Sequence, residues 1–173
     1  MSELEKRDLY DKDRNLTGKT IYKGEPTPDG YYIIVVLVFI QNSKGEFLIQ
    51  KRSKRKDGKY ASTGGHAKSG EDGVQAIITE VEEEIGVTLT PDDLELIYTG
   101  RQDKEHVFFD IFFAKKDLDI SNLTLQEEEV ESVKWASLPE IYKMIEDGDF
   151  LINHAEEVYR MVDIFKKRGI DLG

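Results

Sequence analysis

GGHAKSGEDGVQAIITEVEEEIGV, residues 64–87, is the stretch on which the interpretation of this chain depends. Its aliphatic side chains recur at i, i+3, i+4, i+7 and i+11, which is the spacing of one face of an α-helix. This apolar stripe consists of Val74, Ile77, Ile78, Val81 and Ile85. At about 100° per residue the stripe covers roughly 100° of the helix circumference, so the pattern predicts a helix with one side in the core.

A second face of the same helix carries carboxylates. Glu80, Glu83 and Glu84 stand at i, i+3 and i+4 and so project from one side. Like charges at this spacing repel one another by roughly 0.2–0.5 kcal/mol per pair in water. A hard dication removes the repulsion, since Mg²⁺ prefers carboxylate oxygens. Two interpretations of these glutamates stay open at this point: a metal site, or a solvated glutamate-rich surface.

The segment before the helix favours the metal site. Gly64 and Gly65 are expected to let the backbone turn sharply and approach a ligand closely. Ser69 and Asp72 have the spacing of a helix-capping box. A loop carboxylate, Glu71, followed by helix carboxylates suits a cation that is held between two elements.

The same residues resemble the Nudix box, whose pattern is G-x5-E-x7-R-E-U-x-E-E-x-G-U with U a bulky aliphatic residue. The matching positions are Gly65, Glu71, Glu80, Val81, Glu83, Glu84, Gly86 and Val87. One fixed position departs, because Thr79 stands where the family has arginine. The resemblance implies a Nudix-like α/β/α sandwich, and the number of spaced positions makes the match specific.

The departure at Thr79 bears on the rate of catalysis. The resemblance implies that the family's arginine holds the catalytic glutamate in orientation, and a threonine cannot make a bidentate contact with a carboxylate. We therefore predict that Thr79→Arg raises hydrolysis. The absence of a gain would mean that another residue already does that job.

The resemblance also implies a reaction and roles for residues. Nudix enzymes typically use Mg²⁺ or Mn²⁺ to hydrolyse a nucleoside diphosphate linked to another group, so the expected partner is a small-molecule diphosphate. Glu83 and Glu84 would be the principal metal ligands. Glu80 would bind metal or serve as the general base, and sequence alone does not choose between these roles. Glu71 and Gly86 would support the geometry of the box.

Two further sets of candidates lie outside the box. In many Nudix proteins a glutamate about six residues before the tryptophan near the last helix reaches the metal, and Glu129 has that spacing before Trp135. Glu128 is the near alternative, and an acidic surface loop is the simpler interpretation. Lys51 and Arg52 end a predicted strand close to the glycines, where they contact substrate phosphate or form a solvated basic strand end.

The length of 173 residues predicts one domain over residues 1–173, large enough for a substantial core. Residues 7–24 read as an N-terminal hairpin, either an edge hairpin without chemistry or a lid or dimer contact. Residues 31–41 are nearly all β-branched or aromatic and predict a central strand that returns through residues 46–52. Strands at 94–101 and 106–115 are followed by a helix that Ser137 starts and a last helix over residues 153–169, capped through Glu156. The order implies α/β architecture, a mixed sheet packed between helices.

Composition sets limits on the class of protein. The chain has no cysteine, which excludes disulfides and thiolate metal sites and fits a reducing cytoplasm. A net charge of −11 argues against nucleic acid or an anionic membrane as a partner. The N-terminus shows no apolar segment for a signal peptide, and no apolar run approaches membrane-spanning length. We expect a cytoplasmic protein, and a homodimer is common in the family it resembles.

Two other functions compete with a hydrolase as interpretations of this sequence. If Thr79 disables the box, the protein binds a nucleotide or metal without turnover, although the intact glutamates argue against this. Over roughly residues 7–150, including LYDKDRNLTGK and GEFLIQKRS, the chain is also similar to Nudix proteins related to isopentenyl-diphosphate isomerase. That isomerase uses a catalytic cysteine, which this chain lacks, so the similarity implies a hydrolase with the isomerase's general shape.

Overall fold

The computed structural model describes residues 4–173, and residues 1–3 of the expected single domain lie outside this range. The strands in the described range are β1 (Lys6–Tyr10), β2 (Leu16–Tyr22), β3 (Ile33–Gln41), β4 (Phe47–Arg52), β5 (Tyr60–Ala61), β6 (Thr63–His66), β7 (Glu95–Gln102), β8 (Val107–Lys115) and β9 (Val130–Ala136). The α-helices are α1 (Gly73–Ile85), α2 (Leu138–Glu146) and α3 (Ile152–Lys167).

The strand predicted to be central is the backbone of the main sheet. β3 pairs in parallel with β8 and antiparallel with β4 and β6, while β7, β5 and β9 extend the sheet further out. Eight of its nine residues are buried, as expected for a strand that is covered on both faces. The sheet is therefore mixed, with seven strands.

The two faces of this sheet carry separate hydrophobic cores. Val36 and Val38 of β3 pack on the α1 side with Ile77 and Val81. The alternate residues Leu37 and Phe39 pack on the other side with residues of α2 and α3. This alternation, which follows from the two-residue period of a strand, makes the molecule an α/β/α sandwich. The predicted fold class is confirmed.

Helix α1 begins and ends through specific caps. Asp72, and not Ser69, is the N-cap: its side chain accepts from the Gln75 N–H at 2.9 Å, and the Gln75 side chain accepts from the Asp72 N–H at 3.0 Å. The predicted Ser69–Asp72 box is therefore wrong, because the helix starts at Gly73. Gly86 ends the helix with a left-handed φ of 71°, a conformation that glycine adopts without steric cost.

The N-terminal hairpin forms as predicted but is not an edge of the main sheet. β1 and β2 make a two-stranded antiparallel sheet of their own. The hairpin is tied to the start of β3 by two backbone hydrogen bonds between Tyr10 and Tyr32, of 2.8 and 2.9 Å. It lies against the loop that precedes α1, where the Ser69 hydroxyl donates to Asp8 at 2.6 Å.

Two other local predictions need correction. Gly64 and Gly65 do not form a turn; they lie in β6 and pair with Leu37 and Val36 of β3. Helix α3 starts at Ile152 behind Leu151, which makes no side-chain cap, so the capping box through Glu156 is absent. The cap of α2 is as predicted, with Ser137 and Glu140 in a reciprocal box. Among the residues that the structure describes, no helix is long and apolar enough to cross a membrane.

Candidate active site

The site is built where α1 crosses β6. Glu80 and Glu84 are one helical turn apart and both buried, whereas the Glu83 side chain is 47% exposed. The Glu80 carboxylate lies directly against the Cα of Gly65, so that a Cβ at that position would stand 2.6 Å from Glu80 Oε2. Gly65 thus packs against Glu80, and any larger residue at position 65 would clash with the Glu80 carboxylate.

Burial perturbs the protonation of both buried glutamates. It raises the pKa of Glu80 to about 7, with the charge of Lys68 opposing the rise and that of Glu83 adding to it. Burial raises the pKa of Glu84 to about 8, and the charges of Glu80 and Glu129 contribute. Glu84 Oε2 is buried and accepts no hydrogen bond within residues 4–173. A buried carboxylate oxygen without a partner is costly, and a bound cation would satisfy it.

Glu129 comes from the loop before β9, and its charge adds to the rise that burial causes in the pKa of Glu84. The Gln126 N–H in the same loop donates to the Glu84 carbonyl oxygen at 2.9 Å, which holds the loop against the end of α1. The neighbouring Glu128 is exposed, and its carbonyl oxygen accepts from the Ser53 hydroxyl at 2.7 Å. The arrangement favours Glu129 over Glu128 as the loop carboxylate of the site.

Two lysines that sequence reasoning did not single out enter this acidic group. Lys68 Nζ lies 3.2 Å from Glu83 Oε2 and 3.6 Å from Glu80 Oε1. Lys56 forms an ion pair with Glu129. Ammonium groups therefore neutralise three of the four glutamates that were predicted to bind metal.

Thr79 and Glu71 form a separate hydrogen-bonded link. Glu71 Oε2 lies 2.7 Å from the Thr79 hydroxyl, and Glu71 Oε1 accepts from the Lys68 N–H at 2.7 Å. The Thr79 hydroxyl also lies 2.9 Å from the Gln75 carbonyl oxygen. Glu71 therefore connects the loop to α1.

The predicted phosphate contacts, Lys51 and Arg52, have carboxylate partners in this structure. Lys51 Nζ lies 3.4 Å from Glu131, and Arg52 Nε donates to Asp57 at 2.9 Å. The charge of Arg52 opposes the rise that burial causes in the pKa of Glu84, so Arg52 lies within electrostatic range of the acidic group. Lys51 is turned towards the Tyr60 ring.

The donor chemistry fits a divalent cation. All candidate ligands are carboxylates, which hard cations such as Mg²⁺ and Mn²⁺ prefer, and Glu84 offers a buried oxygen without a partner. Within residues 4–173, however, no three acidic or histidine side chains stand ready as a cation site. Lysine ammonium groups lie against Glu80 Oε1, Glu83 Oε2 and Glu129 Oε2, so a bound cation would use the other oxygens of these carboxylates.

Comparison with known proteins identifies the family of this domain. Residues 31–155 match the model of the NUDIX domain. An uncharacterised Nudix hydrolase of Listeria monocytogenes is 37% identical over 152 residues, covering 86% of this chain and 89% of the relative.

Solved structures share the fold. A Deinococcus radiodurans crystal structure superposes with a TM-score of 0.69 at 20% identity, covering 84% of this chain and 91% of that one. The NUDIX domain of Shewanella oneidensis NrtR, solved with ADP ribose, gives a TM-score of 0.60 at 17% identity over 80% of this chain and 89% of that domain.

Proposed function

The chain belongs to the Nudix hydrolase family, and on that premise we propose that it is a divalent-metal-dependent pyrophosphohydrolase acting on a nucleoside diphosphate derivative or a related small diphosphate. The observation that supports the metal dependence is Glu84, whose buried Oε2 has no hydrogen-bond partner within residues 4–173. Burial raises the pKa of this group, and the charges of Glu80 and Glu129 add to the rise. A structural role for this helix would not call for two buried carboxylates side by side.

The residues divide into ligands and a proton acceptor. Glu83, Glu84 and Glu129 would hold Mg²⁺ or Mn²⁺, which supplies charge neutralisation of the phosphates and a more acidic bound water. We assign Glu80 as the general base. Burial raises the pKa of Glu80 to about 7, close to where a base works best at neutral pH.

Substrate recognition is assigned to the strand end beside the site. Arg52 and Lys51 carry the positive charge of β4 and would contact substrate phosphates, and Gly64 and Gly65 leave the backbone of β6 without side chains there. ADP ribose, which is bound by the Shewanella domain, is a nucleoside diphosphate derivative of the class proposed and belongs in any substrate panel.

A binding module without turnover is the second candidate, and one observation favours it. The Thr79 hydroxyl reaches Glu71 and the Gln75 carbonyl and contacts none of Glu80, Glu83 and Glu84.

We also propose that the chain belongs to the subgroup of Nudix proteins related to isopentenyl-diphosphate isomerase. The lack of cysteine argues against isomerase chemistry. Homodimer formation is likewise proposed from the family, and light scattering of the purified protein tests it.

The test is product release from a substrate panel, in which chromatography detects the monophosphates, pyrophosphate or phosphate that cleavage of a diphosphate linkage yields. The panel contains nucleoside di- and triphosphates, sugar nucleotides, ADP ribose, dinucleotides and isopentenyl diphosphate, each with Mg²⁺, Mn²⁺ or chelator. Release from one class that chelator abolishes supports the hydrolase and identifies its substrates. Binding of a panel member by calorimetry without any release would favour the binding module instead.

A further inference from the structure

Position 79, where the family has arginine, carries no positive charge in this chain. Thr79 is neutral, and its hydroxyl lies on Glu71 and the Gln75 carbonyl. Nothing at this position of α1 therefore balances the carboxylates that stand next to it. A cation from elsewhere in the chain would reduce the repulsion between these carboxylates and favour one orientation of their side chains.

Lys68 provides that cation from the loop before α1. Its ammonium lies between two of the helix carboxylates, 3.2 Å from Glu83 Oε2 and 3.6 Å from Glu80 Oε1. Among the residues described, it is the basic side chain within ion-pair distance of either glutamate. The Glu80 side chain is only 12% exposed, so this charge is partly desolvated and the contact is stronger than a surface ion pair.

The backbone that carries Lys68 is fixed on both sides. The Lys68 N–H donates to Glu71 at 2.7 Å, and Glu71 is in turn held by Thr79. The next residue, Ser69, donates its N–H to the Lys6 carbonyl of β1 at 2.8 Å. The Gly70 N–H donates to Asp8 of β1 at 2.8 Å. A preorganised backbone limits the entropy lost when a flexible lysine side chain holds one position.

We propose that Lys68 is a positioning residue that orients Glu80 and Glu83 in place of the arginine that Thr79 replaces. This inference rests on the proposed function and adds a residue specific to this chain. Thr79 then has a structural role, because its hydroxyl is hydrogen-bonded to Glu71. Glu71 in turn accepts from the N–H of Lys68 and so holds the loop that carries this lysine. With Lys68 in place, we expect Thr79→Arg in the wild-type background to give no gain in rate.

The first test is kinetic. Lys68→Met should lower kcat by about tenfold to a hundredfold, the usual range when a partner that orients a site residue is lost. KM should change by less than about threefold, because the lysine acts on the reacting groups and not on substrate binding. Lys68→Arg should keep most of the wild-type activity. The double variant Lys68→Met with Thr79→Arg should recover much of the activity that Lys68→Met loses. Lys54→Met, an exposed lysine, is the matched control.

The second test is Mn²⁺ binding, measured by electron paramagnetic resonance without substrate. Removing a positive charge from beside the carboxylates should make Lys68→Met bind Mn²⁺ about fivefold more tightly than wild type. Adding Thr79→Arg should reverse that gain. If Lys68 only supported the loop, its loss would loosen the site and weaken Mn²⁺ binding together with turnover.

The outcomes separate this inference from the proposed function. An inactive wild type on every substrate overturns the hydrolase, and the Mn²⁺ titration then decides on Lys68 alone. Tighter Mn²⁺ binding in Lys68→Met, reversed by Thr79→Arg, supports the positioning role. The positioning role is overturned if Lys68→Met binds Mn²⁺ as wild type does or more weakly, or if it keeps wild-type turnover. It is also overturned if Lys68→Arg is as impaired as Lys68→Met.

Discussion

Arg14→Ala tests whether the N-terminal hairpin is part of the folded core. The two terminal guanidinium nitrogens of Arg14 donate to the two oxygens of Asp110 at 2.7 and 2.6 Å. Asp110 lies on β8 with only 3% exposure and has one other side-chain partner, the Thr99 hydroxyl at 2.7 Å. Its carboxylate also fills the space beside Gly73 at the start of α1. The hairpin tip, the sheet and the helix therefore meet at one ion pair.

The magnitude follows from burial. Removing one partner of a buried ion pair costs about 3–5 kcal/mol, because the other charge is left without compensation. The Arg14 side chain is 31% exposed, so water screens part of the loss, and we expect about 2–3 kcal/mol. For a chain of this size that corresponds to a fall in Tm of roughly 6–10 °C.

Urea and thermal unfolding of the metal-free protein measure this loss. Arg14→Ala with Asp110→Asn should recover about half of it, since the double variant no longer buries an unpaired charge. Arg55→Ala, which removes an exposed arginine, should stay within about 0.5 kcal/mol of wild type. If Arg14→Ala matched that control, the ion pair would not hold the hairpin and the reasoning would be wrong.

Further predictions concern the site. Gly65→Ala should place a Cβ against Glu80, displace its carboxylate and lower turnover at least tenfold with the circular dichroism spectrum unchanged. The free energy of unfolding without metal should fall by about 2 kcal/mol from pH 6.5 to 8, because burial raises the pKa of Glu80 to about 7 and that of Glu84 to about 8. In that window the folded state still holds protons that the unfolded state has lost. Burial lowers the pKa of His66 and His154 to about 4. Below pH 6.5 the unfolded state therefore binds protons that these two folded histidines do not, and this contribution to the free energy of unfolding rises with pH. Urea titrations at several pH values, with and without saturating Mg²⁺, measure this fall in the free energy of unfolding. Saturating Mg²⁺ should remove the fall.

Periodic features of the chain were predictable because short-range physics decides them. In the predicted stripe, Ile77, Val81 and Ile85 are buried and Val74 and Ile78 are partly buried, as the helical period requires. The cap at Ser137 forms because a hydroxyl and a carboxylate stand three residues apart. The β-branched run after Tyr32 became the central strand for the same kind of reason.

The errors have causes distant in sequence. Ser69 has capping spacing, yet its hydroxyl is taken by Asp8, which lies 61 residues away, and Asp72 caps the helix instead. Gly64 and Gly65 suggested a turn, but they lie in β6, where the Val36 carbonyl and the Glu80 carboxylate of α1 leave no room for a Cβ. Local spacing cannot show such partners.

The acidic half of the site was predictable and its basic half was not. The glutamates of α1 repeat at helical spacing, and the place of Glu129 came from the family pattern. Lys68 and Lys56 sit in loops without periodicity, so only the fold reveals which carboxylates they meet. The roles assigned to these residues remain proposals for experiment.

A comparison of turnover in Glu80→Gln and Glu82→Gln decides whether this face of α1 is catalytic. Both changes remove one glutamate charge from α1, but Glu80 is buried in the site and Glu82 is exposed. With Mg²⁺ and the substrate found in the panel, Glu80→Gln should lose about 10²- to 10⁴-fold in kcat, the range for a general base, while Glu82→Gln stays near wild type. Equal rates for the two variants, with both folded, would contradict the assignment of this helix face as the catalytic site.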